Sequence, residues 1–223
     1  MPNSTIGIVV GMRSEAALLP AALSVVCSGG SPSKARQLAA ELLEAGAAGL
    51  VSFGIAGGLD PLLRPGTLVI GKGVVSNGHI LPADADWRNY LRQCLPGAVS
   101  GLVQGETEIA ATIEQKARLY KASGALVVDL ESGAVADACF AAGKPFAVIR
   151  AVADPARRGI PSLALDALDE DGRALPMKVA AGLLRRPYEL PGLIRVGLDS
   201  RAALSALRAA MGRLGPALGL QTP

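Results

Sequence analysis

Three acidic residues stand where apolar runs of the sequence end: Glu15 follows IGIVV, Glu131 follows VVDL, and Asp154 ends FAVIRAVAD. Each of these carboxylates alone has an ordinary explanation as a helix cap or an ion-pair partner. The ends of neighbouring strands meet at one edge of an α/β sheet, so acids in these places are expected to converge on one pocket. Grouped carboxylates in a pocket can act as general acids and bases.

The elements that must position these acids are those of an α/β protein. Apolar runs alternate with Gly-rich segments and helical patterns, and Asn77-Gly78 predicts a type I′ hairpin turn. GIAGG (54–58) is interpreted as a loop, and 155–176 as a flexible loop. Strands are predicted at 6–10, 22–27, 49–53, 67–70, 74–80, 98–103, 125–130 and 146–152. Helices are predicted at 34–45, 107–122, 132–142, 177–186 and 200–213.

Composition favours one soluble domain. Of 223 residues, 50% are hydrophobic and 3% aromatic, so the core must be built from Ala, Val, Leu and Ile. The three cysteines are widely spaced and form no CxxC pair, which argues against a disulfide framework or a zinc site. No positively charged leader precedes the first apolar run, and no uninterrupted apolar segment approaches the roughly 20 residues that span a bilayer. We expect a cytoplasmic protein, either soluble or peripheral at the inner face of the membrane.

The charge is unevenly distributed along the chain. The net charge is +3, but residues 173–213 hold eight Lys and Arg against two acids. Binding to nucleic acid is a poor explanation for this positive charge, because the basic stretch lacks interleaved aromatic residues. Contact with an anionic membrane surface stays open.

The end of the chain carries an apolar stripe at helical spacing. This stripe can either lie on a membrane or pack on the sheet, and packing is favoured because terminal helices usually pack. Its apolar members, followed by the two arginines on its flank, are Leu204, Leu207, Met211 and Leu214, then Arg201 and Arg208.

Three stretches, in order, carry a family resemblance. GIVVGMRSEA, SFGIAGGLDPLLRPGTLVIG and VVDLESGAVADACFAAGKPFAVIRAVAD resemble the purine nucleoside phosphorylase and methylthioadenosine/S-adenosylhomocysteine nucleosidase superfamily, over most of residues 6–155. CSGGSPSKAR and the basic tail resemble most closely its hopanoid-associated phosphorylase branch, thought to remove adenine from adenosylhopane. The resemblance implies an α/β enzyme with a mixed, twisted central sheet flanked by helices. It would form one nucleoside-phosphorylase-like domain over 1–223, with a basic helical part at about 173–214.

The same resemblance implies roles for individual residues. Asp154 matches the aspartate that contacts the purine and, with a raised pKa, assists departure of the base. Glu131 matches the glutamate that accepts hydrogen bonds from the ribose hydroxyls. Leu130 matches a position beside ribose and base, and Asp129 an acid of the family motif that supports the site. The other implied substrate-binding residues are Phe53, Gly54, Ala56 and Gly57.

The nucleophile is less clearly assigned. Glu15 aligns with a glutamate that activates water in nucleosidases, and it would repel a phosphate dianion. Ile55 stands where relatives have a hydroxyl or thiol. The branch resemblance nevertheless implies phosphorolysis, with inorganic phosphate as co-substrate and no metal or other cofactor. Residues that would bind phosphate are Gly11, Arg13, Ser28, Gly29 and Lys34.

Alternatives to a lipid-nucleoside phosphorylase stay open. One is a hydrolytic methylthioadenosine/S-adenosylhomocysteine nucleosidase, and another is a nucleoside-binding protein without turnover. A homo-oligomer is expected from the resemblance. His79 is interpreted as a solvated hairpin residue, the cysteines as packing residues, and Trp87 and Tyr90 as a cover of the pocket or an oligomer contact.

Overall fold

A central eight-stranded mixed sheet organises the molecule. The computed structural model describes residues 6–165 and 175–215, and Leu218. The strands are β1 (Ile6–Val10), β2 (Ser24–Cys27), β3 (Gly49–Gly58), β4 (Leu68–Ser76), β5 (His79–Pro82), β6 (Val99–Gly105), β7 (Val127–Asp129) and β8 (Phe146–Asp154). They follow the order β2-β1-β3-β7-β6-β4-β5, and β8 pairs in parallel with β3 and antiparallel with β4.

Helices cover both faces of this sheet. They are α1 (Arg13–Ala16), α2 (Pro32–Glu44), α3 (Ala85–Cys94), α4 (Ile113–Ser123), α5 (Ser132–Ala141), α6 (Ser162–Leu165), α7 (Pro176–Arg185) and α8 (Leu190–Leu214), with a 3₁₀ turn at Pro187–Glu189. One apolar core lies between the sheet, α3 and α8, and a second lies between the sheet, α2 and α5. The predicted α/β class with a mixed central sheet flanked by helices is confirmed.

One departure from the predicted elements, at the candidate site, is in β3. The segment 54–58, predicted as a loop, is the second half of a ten-residue strand. It stays extended because it pairs with two neighbours: Ile55 is in register with Ala151 of β8, and Gly57 with Val128 of β7. The glycines that suggested a loop instead allow this strand to pass close to buried charged side chains.

Two helix boundaries also differ from those predicted. Helix α4 begins at Ile113 rather than at 107, because the Thr112 hydroxyl accepts a hydrogen bond from the backbone N–H of Gln115 at 3.2 Å and the Gln115 side chain accepts one in return. Helix α8 begins at Leu190, ten residues before the predicted start. Pro191 falls in its first turn, where a missing N–H costs no intrahelical hydrogen bond.

The apolar stripe of the last helix packs on the sheet. Leu207, Met211 and Leu214 are buried, and Leu204 is partly buried against the same core. The alternative that these residues lie on a membrane is therefore wrong. In the described part of the chain, no helix has the length and hydropathy to cross a bilayer.

Two smaller predictions have opposite outcomes. The Asn77-Gly78 turn is confirmed, since both residues have positive φ between β4 and β5, and His79 is exposed beside it. Trp87 does not cover a pocket: it is 2% exposed within the core, and its indole N–H donates to the Leu218 carbonyl at 2.7 Å. Tyr90 packs against the same core.

Candidate active site

A cleft of about 600 Å³ opens where β1, β3, β7 and β8 end. Glu15, Glu131 and Asp154 all line it, although they belong to distant parts of the sequence. The edge of the sheet brings them together: Glu15 is in the helical turn after β1, Glu131 is the residue before α5, and Asp154 is the last residue of β8.

The Glu15 carboxylate is held by backbone amides. It is buried; Oε2 accepts hydrogen bonds from the N–H groups of Gly11 (2.9 Å) and Met12 (2.8 Å), and Oε1 accepts one from Ile55 (2.7 Å). Burial raises the pKa of Glu15, against the opposing effects of the Arg150 charge and of these three donors. Residue 55 thus serves this carboxylate through its backbone N–H, a contact that does not depend on its side chain.

Asp129 and Glu131 share neighbours but differ in environment. Asp129 Oδ1 accepts from the N–H groups of Glu131 (3.0 Å) and Ser132 (2.7 Å), so it fixes the start of α5. Glu131 Oε1 accepts a long hydrogen bond from the Ser28 hydroxyl, at 3.4 Å. Burial raises the pKa of Glu131 to about 7, although Arg150 opposes the shift. Glu131 therefore titrates near neutral pH.

Arg150 forms ion pairs with two of the acids, Asp129 and Glu131. This fully buried side chain on β8 places Nε 2.8 Å from Asp129 Oδ2 and Nη2 3.3 Å from Glu131 Oε2. Nη2 also donates to the Ser52 hydroxyl at 2.5 Å, and Nη1 donates to the Ile55 carbonyl at 3.3 Å. A buried ion group of this kind must be well hydrogen-bonded to be tolerated.

Asp154 has its own cationic partner, Lys116. Its side chain, 18% exposed, forms an ion pair with the completely buried Lys116 of α4. The Lys116 ammonium also donates to the carbonyls of Pro155 (3.2 Å) and Arg158 (2.9 Å). Burial raises the pKa of Asp154, and Lys116 opposes that shift.

The structure brings several of the other predicted residues to the same cleft. They share small or apolar side chains, which leave the space open beside the acids. These lining residues are Gly11, Gly29, Ala56, Gly57 and Leu130.

Other predicted residues lie elsewhere. Phe53 is fully buried in the core, because its side chain points to the face of β3 that packs there. Gly54 lies behind the cleft beside Glu15, and Ser28 is buried against Glu131. Arg13 is exposed, and neither it nor Lys34 lines the cleft.

Sequence reasoning missed Arg150 and Lys116. A signal existed for Arg150, since an arginine within the apolar run FAVIRAVAD must be buried and therefore paired. Lys116 carried no such signal, because IEQKARLYKAS is an ordinary polar helix pattern. Among the described residues, no three His, Cys, Asp or Glu side chains are grouped so as to hold a metal ion.

The mouth of the cleft is apolar. Beyond Asp154 the lining passes to α6, α7 and the first half of α8. No residue of α7 is buried. The apolar lining side chains from these helices and the preceding segment are Ile160, Ala164, Leu165, Val179, Leu193 and Val196, and α8 also contributes Gly197 and Ser200.

The chain is an α/β protein with a mixed central sheet. Buried carboxylates at the strand ends line a polar cleft, and the mouth of this cleft is apolar. A family profile described as the Phosphorylase superfamily matches residues 20–186, and the chain belongs to that superfamily. This membership confirms the predicted family and the predicted enzyme class of nucleoside phosphorylases and nucleosidases. No curated protein sequence gives a match.

Solved structures of similar fold include three bacterial enzymes. S-adenosylhomocysteine nucleosidase from Streptococcus pyogenes is 20% identical, with a TM-score of 0.68 over 96% of this chain and 99% of that one. Methylthioadenosine/S-adenosylhomocysteine nucleosidase from Neisseria meningitidis, in complex with methylthio-immucillin-A, is 18% identical (TM-score 0.65, coverage 93% and 99%). Futalosine hydrolase from Helicobacter pylori is 16% identical (TM-score 0.66, coverage 93% and 97%). These likenesses establish the fold.

Proposed function

We propose that this protein cleaves the N-glycosidic bond of an adenine nucleoside. The observation that carries the proposal is the convergence of three carboxylates on one cleft: Glu15 and Glu131, which are buried, and Asp154, which is 18% exposed. The solved nucleosidases of the same fold support it, because two of them are nucleosidases of S-adenosylhomocysteine or methylthioadenosine, which are adenine nucleosides.

Each carboxylate fits a different part of the reaction. Asp154, with its pKa raised by burial, can hold a proton for N7 of the departing base. Glu131 can accept hydrogen bonds from the ribose hydroxyls, and its negative charge favours the oxocarbenium-like sugar of the transition state. Glu15, fixed by three backbone amides, can orient and deprotonate the nucleophile.

The charge of the cleft favours water over phosphate as nucleophile. Five acids line the cleft, whereas its described lining includes no lysine or arginine. The Arg150 charge is already shared between Asp129 and Glu131. A phosphate dianion about 4 Å from an ionised carboxylate is repelled by several kcal/mol at an effective dielectric of about 20. We therefore favour hydrolysis, although the sequence resemblance had implied phosphorolysis.

The apolar mouth favours a nucleoside with a large apolar 5′ group. A water-soluble nucleoside needs only the end of the cleft that Glu15, Glu131 and Asp154 line. The cleft continues beyond it, between α6, α7 and α8, along apolar side chains. Together with the resemblance to hopanoid-associated phosphorylases, this makes adenosylhopane the substrate we propose. Methylthioadenosine is the matched small alternative.

We also propose that the mouth of the cleft rests on an anionic membrane. Around it, α7, the 3₁₀ turn and the first half of α8 expose large apolar side chains, including Met177 (81% exposed) and Leu184 (88%). Lys178, Arg185 and Arg195 lie on the same segments, and such a mixture of apolar and basic residues is typical of interfacial helices. We call this surface the lip; its apolar members are Met177, Leu184, Tyr188, Leu190, Ile194 and Leu198.

One assay tests substrate and activity together. Adenine release is measured from 5′-deoxyadenosine, methylthioadenosine and adenosylhopane in vesicles. Asp154→Asn is the inactive variant, and Asp60→Asn, at a half-buried loop acid outside the lining of the cleft, is its matched control. We expect release by wild type and Asp60→Asn, fastest from the lipid nucleoside, and loss in Asp154→Asn. Adenine binding without release would instead identify a nucleoside-binding protein, and release from the small nucleosides alone would remove the lipid from the proposal.

The predicted cytoplasmic location and homo-oligomer stay predictions. Sedimentation of the purified chain would test the second of them.

A further inference from the structure

Lys116 lies behind Asp154, outside the lining of the cleft, and has no part in the proposed chemistry so far. It is fully buried in α4, the helix that begins after the capped residue Thr112. Its ammonium contacts Asp154 Oδ2 and the carbonyls of Pro155 and Arg158. A buried lysine is costly to desolvate, so its position beside a cleft carboxylate needs a reason.

The Lys116 ammonium group is surrounded by oxygen acceptors. An ammonium has three N–H donors and no acceptor, and here four oxygens surround it. Two of them belong to Asp154, its carboxyl Oδ2 and its backbone carbonyl (3.5 Å), and the other two are the carbonyls of Pro155 and Arg158 in the turn that follows β8. Lys116 therefore fixes the carboxyl and its supporting backbone at the same time. With Oδ2 bound to Lys116, the oxygen left for a ligand in the cleft is Oδ1.

We propose that Lys116 is the positioning residue of the base-side acid: it binds Oδ2 of Asp154 and holds the carboxyl group so that Oδ1 faces the base. This inference rests on the proposed function of Asp154 at the purine. Lys116 itself does not touch the base; it acts through the carboxyl group.

The direction of the pH effect follows from the charges around Asp154. An adjacent cation favours the carboxylate, so Lys116 lowers the pH at which Asp154 ionises, against the effect of burial. In the described part of the chain, Arg158 also acts on Asp154 and favours the carboxylate, whereas Asp199 of α8 disfavours it. These two pair with each other at 2.5 Å, so their effects on Asp154 largely cancel. Lys116 is therefore the dominant charge acting on Asp154.

The test replaces Lys116 by methionine, which keeps an unbranched chain of similar length without the charge. Lys121→Met, on the exposed face of the same helix, is the matched control. In Lys116→Met, we expect the alkaline limb of the kcat/KM profile for adenine release to move up by about 1–3 pH units. We also expect kcat at pH 7 to fall roughly 10- to 100-fold, because Asp154 is no longer held in place. Lys121→Met should match wild type.

A purely structural lysine would lower activity at every pH and leave the limb where it is, and a lysine that itself supplied the proton would move the limb down. Either result overturns the proposal. Lys116→Gln, which keeps N–H donors for the two carbonyls, serves as a second variant if the methionine variant does not fold. It should show the same upward shift, since it also lacks the charge.

A measurement on the wild-type chain needs no substitution at Lys116. In protein with ¹⁵N-labelled lysine side chains, we expect the Lys116 Nζ resonance to move when adenine binds and to stay when 7-deazaadenine binds, because only adenine offers N7 to Asp154. An equal response to both bases contradicts the proposal. This readout requires binding alone, so failure of Lys116 is distinguished from absence of turnover, which would count against the proposed function.

Discussion

The two ends of the cleft are built on opposite principles. The sheet end is ionic, buried and hydrogen-bonded: Arg150 contacts Asp129 and Glu131, and Glu15 accepts from three backbone amides. The lip is apolar and exposed, and α7 buries none of its residues. The sheet end can hold charges in fixed positions because strands on both sides support it. The lip can change composition without disturbing those positions.

Because of this difference, we expect one end of the cleft to carry out catalysis and the other to select the substrate. Chemistry on a glycosidic bond needs carboxylates held in a fixed geometry, which the sheet end supplies. Selection of the group attached at the 5′ position needs only a surface of suitable polarity, which the lip supplies. Substitutions at the sheet end should therefore affect folding and turnover, and substitutions in the lip should affect only the choice of substrate and surface.

The largest expected effect is that of Arg150→Met. Two buried carboxylates, Asp129 and Glu131, then lose their cation, which typically costs about 3–5 kcal/mol of unfolding free energy. Urea unfolding measures it. As the matched control, Arg36→Met removes an arginine that is 63% exposed and pairs with Asp137 at 3.1 Å, and should cost less than about 1 kcal/mol. Equal unfolding midpoints for the two variants would show that the sheet end does not depend on this ion group.

The next effect tests the geometry of Glu15. A methyl group at residue 54 would lie 2.5 Å from Glu15 Oε1 and 2.7 Å from Arg150 Nη1, so Gly54→Ala must displace one of them. We expect kcat for adenine release to fall about 100-fold, while the chain still folds. Gly97→Ala, where an added methyl group meets nothing within 4 Å, is the control. Unchanged turnover in Gly54→Ala would remove Glu15 from the proposed chemistry.

The pH dependence of the sheet end is a third test. Because burial raises the pKa of Glu131 to about 7, its carboxylate forms only as the pH rises through neutrality. We expect kcat/KM to increase about tenfold between pH 6 and pH 8 on this acid limb, and Glu131→Gln to lack the limb. An acid limb that persists in Glu131→Gln would assign it to another group.

The same shift makes a stability prediction with a defined sign. The folded pKa of Glu131 lies above the unfolded value of about 4.5, so the folded state binds more protons between these two pH values. The free energy of unfolding of wild type should therefore decrease as the pH rises from about 5 to about 8, and that of Glu131→Gln should decrease less. Thermal unfolding at the two pH values measures both. A wild-type chain that gains stability over this range would contradict the sign.

The smallest effect on catalysis is expected in the lip. Leu184→Ser should leave release of adenine from methylthioadenosine within about twofold of wild type, because this residue lies outside the carboxylate end. Binding to vesicles with anionic lipid, measured by co-sedimentation at low salt, should weaken. Leu62→Ser, which changes a leucine that is 80% exposed outside the lip, should leave vesicle binding unchanged. Equal vesicle binding by both variants would place the membrane contact elsewhere.

The fold class and the acids of the cleft could be predicted from the sequence. The residues that bind and orient these acids could not be predicted as completely. Apolar runs specify strands such as β1, and a carboxylate after such a run is visible in a single sequence. The partners are not visible in the same way: Lys116 meets Asp154 across 38 positions of sequence, and Ser28 meets Glu131 across 103. Such contacts depend on strand order. The second half of β3 was missed for a related reason, since its pairing with β7 and β8 outweighs the local preference of its glycines.

The most direct test of the central claim follows the oxygen that replaces adenine. Wild type is incubated with methylthioadenosine and with vesicle-bound adenosylhopane in H₂¹⁸O, with and without phosphate, and the ribosyl product is analysed by mass spectrometry. The account predicts free adenine together with a sugar that carries one ¹⁸O, at a rate that phosphate does not increase. A sugar phosphate without ¹⁸O, formed only when phosphate is present, would contradict the assignment of water to Glu15, and absence of adenine from both substrates would contradict the proposed activity itself.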